Sequence, residues 1–184
     1  MGSWSTPAPA RGPDGTAEGP GLVLPAMRTA GRGRIINISS IGGKFYDPLG
    51  PWYHPTKLAV EGMGDALRLE LKPHGISVSI IEPSGTRNEW GCISAGRLLS
   101  TSGDGPYAAQ AQHMAGALAS ADREQTSTHP GVIARAVLHA ATSARPRTRY
   151  PAGNGAGAIL ALRRLLPDRL YDVVVMAVLK RAAG

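Results

Sequence analysis

Two β-branched runs on either side of one long amphipathic stretch constrain this chain more than any other feature. RIINIS (Arg34–Ser39) and ISVSIIE (Ile76–Glu82) are short and mostly apolar, the pattern of strands buried on both faces. Between them Val60, Met63, Leu67 and Leu71 recur at intervals of three and four, with Lys57, Glu61, Arg68 and Lys72 on the remaining faces. That periodicity predicts a helix over Pro51–His74, closed by Gly75. Strands joined through a helical crossover run parallel, so the segment predicts an α/β fold with a buried parallel sheet covered by helices.

The rest of the chain adds little sheet. GLVLPAMRTAGRG, starting at Gly21, reads as the end of a helix closed by Gly31 and Gly33. PSGTRNEWG after Glu82 is a turn-rich loop, and residues 91–121 are rich in small residues and weakly helical. Pro130–Ser143 predicts a helix, Arg147–Tyr150 a short strand, and Ala156–Ala182 a last helical region broken at Pro167. Gly153, Gly155 and Gly157 form a turn before that region. Three strands are half of a doubly wound domain, which has two βαβαβ halves. Residues 1–20 hold four Pro and four Gly but no Leu, Ile, Val or Phe. They cannot offset the entropy of ordering and are expected to be a disordered leader, with the structured unit over 21–184.

Several function classes fall away on composition. A single cysteine, Cys92, excludes a disulfide framework and a thiolate metal cluster and fits a cytoplasmic protein; it is expected to be a buried small residue. The five histidines show no ligand spacing, so no metal site is expected. The longest apolar run, Val173–Leu179, is too short to span a bilayer. The net charge of +7 is spread over scattered arginines and aromatics make up 5%, so no nucleic-acid stacking platform is visible.

Chemistry concentrates at three positions. Tyr53 and Lys57 are four apart at the front of the predicted helix and share one face. A tyrosine is a poor base near neutrality, and a nearby ammonium is expected to lower its pKa towards a useful range. Pro55 between them is tolerated in a first helical turn. Ser40 follows a strand at its carboxyl end, where open α/β sheets bind ligands, and can hold a substrate oxygen beside the Tyr53 proton.

GRIINISSIGG, then YHPTK, then a strand ending IEPSGT resembles the short-chain dehydrogenase/reductase family, whose pattern is Asn-x-Ser-Ser, Tyr-x-x-x-Lys and a Pro-Gly turn in that order. The likeness runs from about Gly21 to the C-terminus and is clearest over Gly33–Gly91. PLGPWYHPTKLAVEGMGDALRLELKPHGISVSIIEP is most similar to the branch acting on hydrophobic alcohols and ketones, the retinol and 17β-hydroxysteroid dehydrogenase-like members. The resemblance implies the C-terminal half of a Rossmann-like doubly wound sheet with flanking helices. It implies an oxidoreductase that transfers hydride between NAD or NADP and a hydrophobic secondary alcohol or ketone. Tyr53 would exchange the proton of the substrate oxygen, Lys57 would lower the Tyr53 pKa and bind the nicotinamide ribose, and Ser40 would polarise the carbonyl. Pro83, Ser84, Gly85 and Thr86 would line the nicotinamide together with Tyr53 and Lys57.

The departures are equally definite. The family's glycine-rich dinucleotide loop and first strands have no counterpart, which removes the pyrophosphate's usual helix N-terminus. Ser84 stands where the family has Gly, which puts the carboxamide-binding role of Thr86 in question. A rival reading follows: a truncated, catalytically inactive remnant that acts by associating with another subunit. The helix over residues 51–74 commonly forms the dimer interface in this family, so a homo-oligomer is expected through it. A membrane-surface role for the apolar, basic C-terminal segment ranks last.

Overall fold

In a computed structural model describing residues 19–121 and 127–182, the two β-branched runs lie side by side. β1 (Gly33–Ile38) and β2 (Ile76–Pro83) pair in parallel with Ile35 opposite Val78 and Asn37 opposite Ile80. A third strand, β3 (Arg149–Ala152), continues the sheet in parallel, with Ile81 opposite Tyr150, giving the order β1-β2-β3. The expected strand over Arg147–Tyr150 therefore lies two residues later: Ser79 donates its hydroxyl hydrogen to the Arg147 carbonyl, and pairing starts only at Arg149. The expected leader at 1–20 lies outside the described residues except for its last two, which open α1 (Gly19–Ala30).

Alternation along the strands sends one set of side chains to each face. Ile35, Ile76 and Val78 pack with Leu67 and Leu71 of α2 (Tyr53–Leu71) and with Leu24 and Met27 of α1. On the opposite face Ile36, Ile81, Tyr150 and Ala152 pack against Ile133, Ala136, Val137 and Ala140 of α5 (Pro130–Thr142). The result is an α/β fold with a small parallel sheet flanked by helices, a partial doubly wound arrangement. Residues 91–121, weakly helical by sequence, form α3 (Trp90–Ser102) and α4 (Ala108–Ala121) packed on each other. The C-terminal region splits at Pro167, as its sequence indicates, into α6 (Ala156–Leu165) and α7 (Asp168–Ala182).

Both α1 and α2 end at one pole of the sheet. Gly31 and Gly75 close them in the left-handed conformation, φ 62° and 69°, immediately before β1 and β2 begin. A Cβ on Gly75 would also collide with the Gly31 carbonyl oxygen. The carboxyl ends of β1 and β2 therefore emerge together at the opposite pole, together with the start of α2.

Two burial findings stand apart from the sequence reading. Glu61, which periodicity places off the apolar face of α2, is buried at 3% exposure. It sits there because Lys44 and Arg149 reach it at 3.2 and 3.1 Å, so its charge is paired rather than hydrated. Cys92 is exposed: α3 turns Gly91 and Ala95 inward, and Cys92 lies off that face.

Candidate active site

At the carboxyl pole, the chain leaving β1 turns at once. Ser40 caps a short 3-10 turn over Ile41–Gly43, accepting the Gly42 N–H at 3.0 Å. Gly42 and Gly43 are required by close approach. A Cβ on Gly42 would stand 2.9 Å from the Tyr53 ring, and one on Gly43 would stand 3.0 Å from the Lys57 carbonyl. The turn thus lies directly on the first turns of α2, and the Ser39 hydroxyl donates to the Lys57 carbonyl at 3.4 Å. Ser40 Oγ also donates to the Pro83 carbonyl at 3.4 Å, joining the end of β1 to the end of β2.

The structure brings all the sequence-selected residues to one place. Ser40, Tyr53, Lys57, Pro83, Ser84, Gly85 and Thr86 line a single cleft of about 1050 Å³. The Tyr53 ring rests against His54 and Trp90, with centroids 5.5 and 5.3 Å away. Lys57 is half-buried, and its ammonium has no partner among the described residues. A half-buried cation facing a cleft without a counter-charge is the kind of group a ligand completes.

The electrostatics depart from the sequence expectation at Tyr53. Its phenol is raised above the ordinary tyrosine value, chiefly by burial; the Ser40 hydroxyl lowers it, and the Asp47 charge raises it further. The expected depression by Lys57 is absent, and burial sets the direction.

Ser84 takes a structural part. It is buried, its hydroxyl meets Thr128 Oγ1 at 3.2 Å, and its N–H donates to the Ala152 carbonyl at 2.9 Å. Thr86 donates its hydroxyl hydrogen to the Ser84 carbonyl at 3.0 Å and bridges to Thr128. The turn after β2 is therefore tied down by Ser127–Thr128, and the hydroxyls of Ser84 and Thr86 are committed within the protein.

The cleft walls are residues that sequence reasoning passed over. Leu98, Met114, Leu118, Ile133 and Val137 from α3, α4 and α5 make most of the lining apolar. No spacing rule links positions so far apart; only the fold assembles them. His54 and Asp47 also line the cleft, 2.9 Å apart. The adjacency of His54 to Tyr53 in YHPTK was the available signal.

Residues fit for a nicotinamide cofactor are present only in part. Tyr53, Lys57 and the Pro83–Thr86 turn offer an ammonium, a phenol and a flat backbone segment at the cleft floor. The glycine-rich turn that opens α6, Gly153–Gly155, does not line the cleft, so among the described residues a pyrophosphate finds no glycine cradle there. Nor do the described residues contain three His, Cys, Asp or Glu side chains grouped to hold a metal.

Comparison with known proteins agrees with this arrangement. Residues 14–91 match the short chain dehydrogenase family. An uncharacterized oxidoreductase of Schizosaccharomyces pombe is 35% identical over 151 residues, covering 81% of this chain and 61% of the relative. The 17-beta-hydroxysteroid dehydrogenase type 6 of Bos taurus is 32% identical over 166 residues, covering 83% of this chain and 50% of that protein. The chain thus spans less than two thirds of the curated relatives it matches. A short-chain dehydrogenase from Streptomyces avermitilis of known crystal structure superposes with a TM-score of 0.64 at 24% identity, covering 93% of this chain and 58% of that one, and so shares the fold. In motif order, site geometry and fold the chain is thus similar to the short-chain dehydrogenases, with the family match lying over residues 14–91.

Proposed function

We propose that this chain carries the proton-transfer and substrate-binding half of an NAD(P)-dependent oxidoreductase acting on a hydrophobic secondary alcohol or ketone. One observation carries the reading: Ser40, Tyr53 and Lys57, the last unpartnered among the described residues, line one cleft whose walls are largely apolar. Tyr53, Lys57 and the Pro83–Thr86 turn are the residues that would hold the nicotinamide ribose and ring. When bound, the cofactor supplies or accepts the hydride. The chain's own part is acid–base and positional. Tyr53 gives its phenolic proton to the carbonyl oxygen in reduction and takes it back in oxidation. Ser40 holds that oxygen by a hydrogen bond. Lys57 presents an ammonium, unpartnered among the described residues, to the same cleft, where it would meet the nicotinamide ribose. The apolar walls exclude water and favour a greasy substrate, in keeping with a steroid dehydrogenase among the relatives.

Tyr53→Phe tests the assignment. It removes one oxygen and leaves the ring packing, so binding of NADPH or NADH is expected to persist while ketone reduction falls by about 10²–10⁴-fold. Full turnover by Tyr53→Phe would remove Tyr53 from the chemistry.

A second reading is supported by α2. Its outward face presents Leu58, Gly62, Ala66 and Leu69 in one exposed stripe, with Trp52 86% exposed beside its start. Gly62 and Ala66, small residues four apart, let another helix approach closely. On this reading the chain is catalytically silent and associates through α2 with a second copy or a related subunit. A folded chain that dimerises yet binds no NADH or NADPH supports it; a monomer that binds either cofactor does not.

A further inference from the structure

The imidazole of His54 is the most tightly held group in the cleft that the proposed chemistry does not use. Its Nδ1 is 2.7 Å from the Gly42 carbonyl oxygen, and its Nε2 is 2.9 Å from Asp47 Oδ1. A carbonyl oxygen and a carboxylate oxygen only accept hydrogen bonds. A neutral imidazole has one N–H, so one of these short contacts would set lone pair against lone pair. Only the imidazolium, with a proton on each nitrogen, satisfies both. Aspartate ordinarily loses its proton well below histidine, so at neutral pH the shared proton belongs to the ring. The surroundings agree. Burial pulls the His54 pKa down, but the hydrogen bonds to Asp47 and Gly42 and the Asp47 charge outweigh it, and the net direction is up.

The ring also has a mechanical position. The loop from Ser40 to Tyr53 wraps it: Phe45 packs on it at 5.5 Å, Tyr53 meets it edge-on, and the Gly50 carbonyl accepts the His54 backbone N–H at 3.1 Å. A side chain at Gly50 would stand 2.6 Å from the ring, so the wrap depends on glycine there. The titratable groups facing the ring are Asp47 from the loop and Tyr53 from its own helix. Tyr171 of α7 feels the Asp47 charge from further out, and the loop also docks on α7 through a Tyr46 hydrogen bond to Asp172 at 2.9 Å.

We propose that His54 is a positioning residue: protonated on both nitrogens, it fastens the Ser40–Tyr53 loop around itself and so holds the Ser40 hydroxyl and the Tyr53 phenol at the same end of the cleft. Losing one proton leaves either Gly42 or Asp47 without its donor and slackens the loop. The inference rests on the site reading given above for its relevance to turnover, but its first test does not depend on activity.

That test is nitrogen NMR of the whole chain labelled in histidine. At pH 6.5 both His54 nitrogens are expected to carry protons, with a titration midpoint above the ordinary histidine value. Amide-exchange protection of residues 42–50 is expected to fall as pH rises through the same midpoint. Asp47→Asn keeps an acceptor oxygen but removes the charge, and should lower the midpoint by about one to three pH units and carry the loss of protection with it. If ketone reduction is measurable, kcat and not KM should follow that midpoint in both proteins. A single neutral tautomer at pH 6.5, or loop protection indifferent to the His54 titration, overturns the proposal. Absence of turnover with the NMR behaviour intact refutes the oxidoreductase reading and leaves the His54 latch standing.

Discussion

Replacing Arg149 with methionine tests the charge network beneath the cleft. Arg149 on β3 donates to Glu61 at 3.1 Å and Asp65 at 2.7 Å and lies 3.5 Å from Glu82. Glu61 and Glu82 are buried, at 3% and 1% exposure, and among the described residues their only other counter-charge is Lys44 at 3.2 and 3.8 Å. The methionine fills much of the space of the arginine stem but leaves two carboxylates sharing one ammonium. Breaking a buried ion pair by deleting one partner costs about 3–5 kcal/mol. Arg149 keeps a quarter of its side chain exposed and Lys44 remains, so the lower end, about 3 kcal/mol, is expected. For a chain of this size that is a fall of roughly 6–12 °C in Tm. Urea unfolding at pH 7 gives the free energy directly. Adding Glu82→Gln to Arg149→Met should recover part of the loss, because it neutralises one stranded carboxylate. A single variant within about 0.5 kcal/mol of the parent, the size of an ordinary surface substitution, would refute the argument. It would mean that water already hydrates the two glutamates.

Glu82 gives a pH signature of opposite sign to most carboxylates. Burial raises its pKa, the Glu61 charge adds to that, and Lys44 and Arg149 only partly offset it. The folded chain therefore binds more protons than the unfolded one between the ordinary glutamate value and the raised one, so this contribution to stability falls as pH rises through that window. Asp65, held low first by Arg149, acts the other way at lower pH, where its contribution is lost as pH falls. Urea midpoints measured across the window should show Glu82→Gln gaining on the parent as pH rises; parallel curves would contradict this. Gly75→Ala places a Cβ at φ 69° against the Gly31 carbonyl, and a loss of about 1–3 kcal/mol is expected in the same assay. An unchanged midpoint would mean that the two helix ends separate freely.

The βαβ unit was legible because its three parts carry unambiguous periods, and the ends of RIINIS and ISVSIIE fall within a residue or two of the strands. The site was legible for the same reason: Ser40, Tyr53 and Lys57 are placed by those elements alone. What the sequence hid is long-range. Glu61 reads only as a position off the apolar stripe, and its burial follows from Lys44 and Arg149, brought beside it from a turn and a distant strand. β3 reads two residues early because RTRYPA has no alternation to set its register. The Tyr53 pKa was misjudged because two residues four apart reveal a neighbouring charge but not how much water is lost from the phenol. The cleft walls come from three helices whose small-residue composition carries no signal of what they enclose.

The contact between Tyr53 and Trp90 also makes the cleft its own light source. Trp90 is half exposed on the cleft lining, with its indole centroid 5.3 Å from the phenol ring. A molecule that settles between the walls must dehydrate that indole, and its emission colour and intensity register the event without any attached dye. The chain has three tryptophans, and Trp52 is almost fully in water. With Trp4 and Trp52 changed to phenylalanine, the remaining signal comes from the single spot where the Trp90 indole meets the Tyr53 phenol.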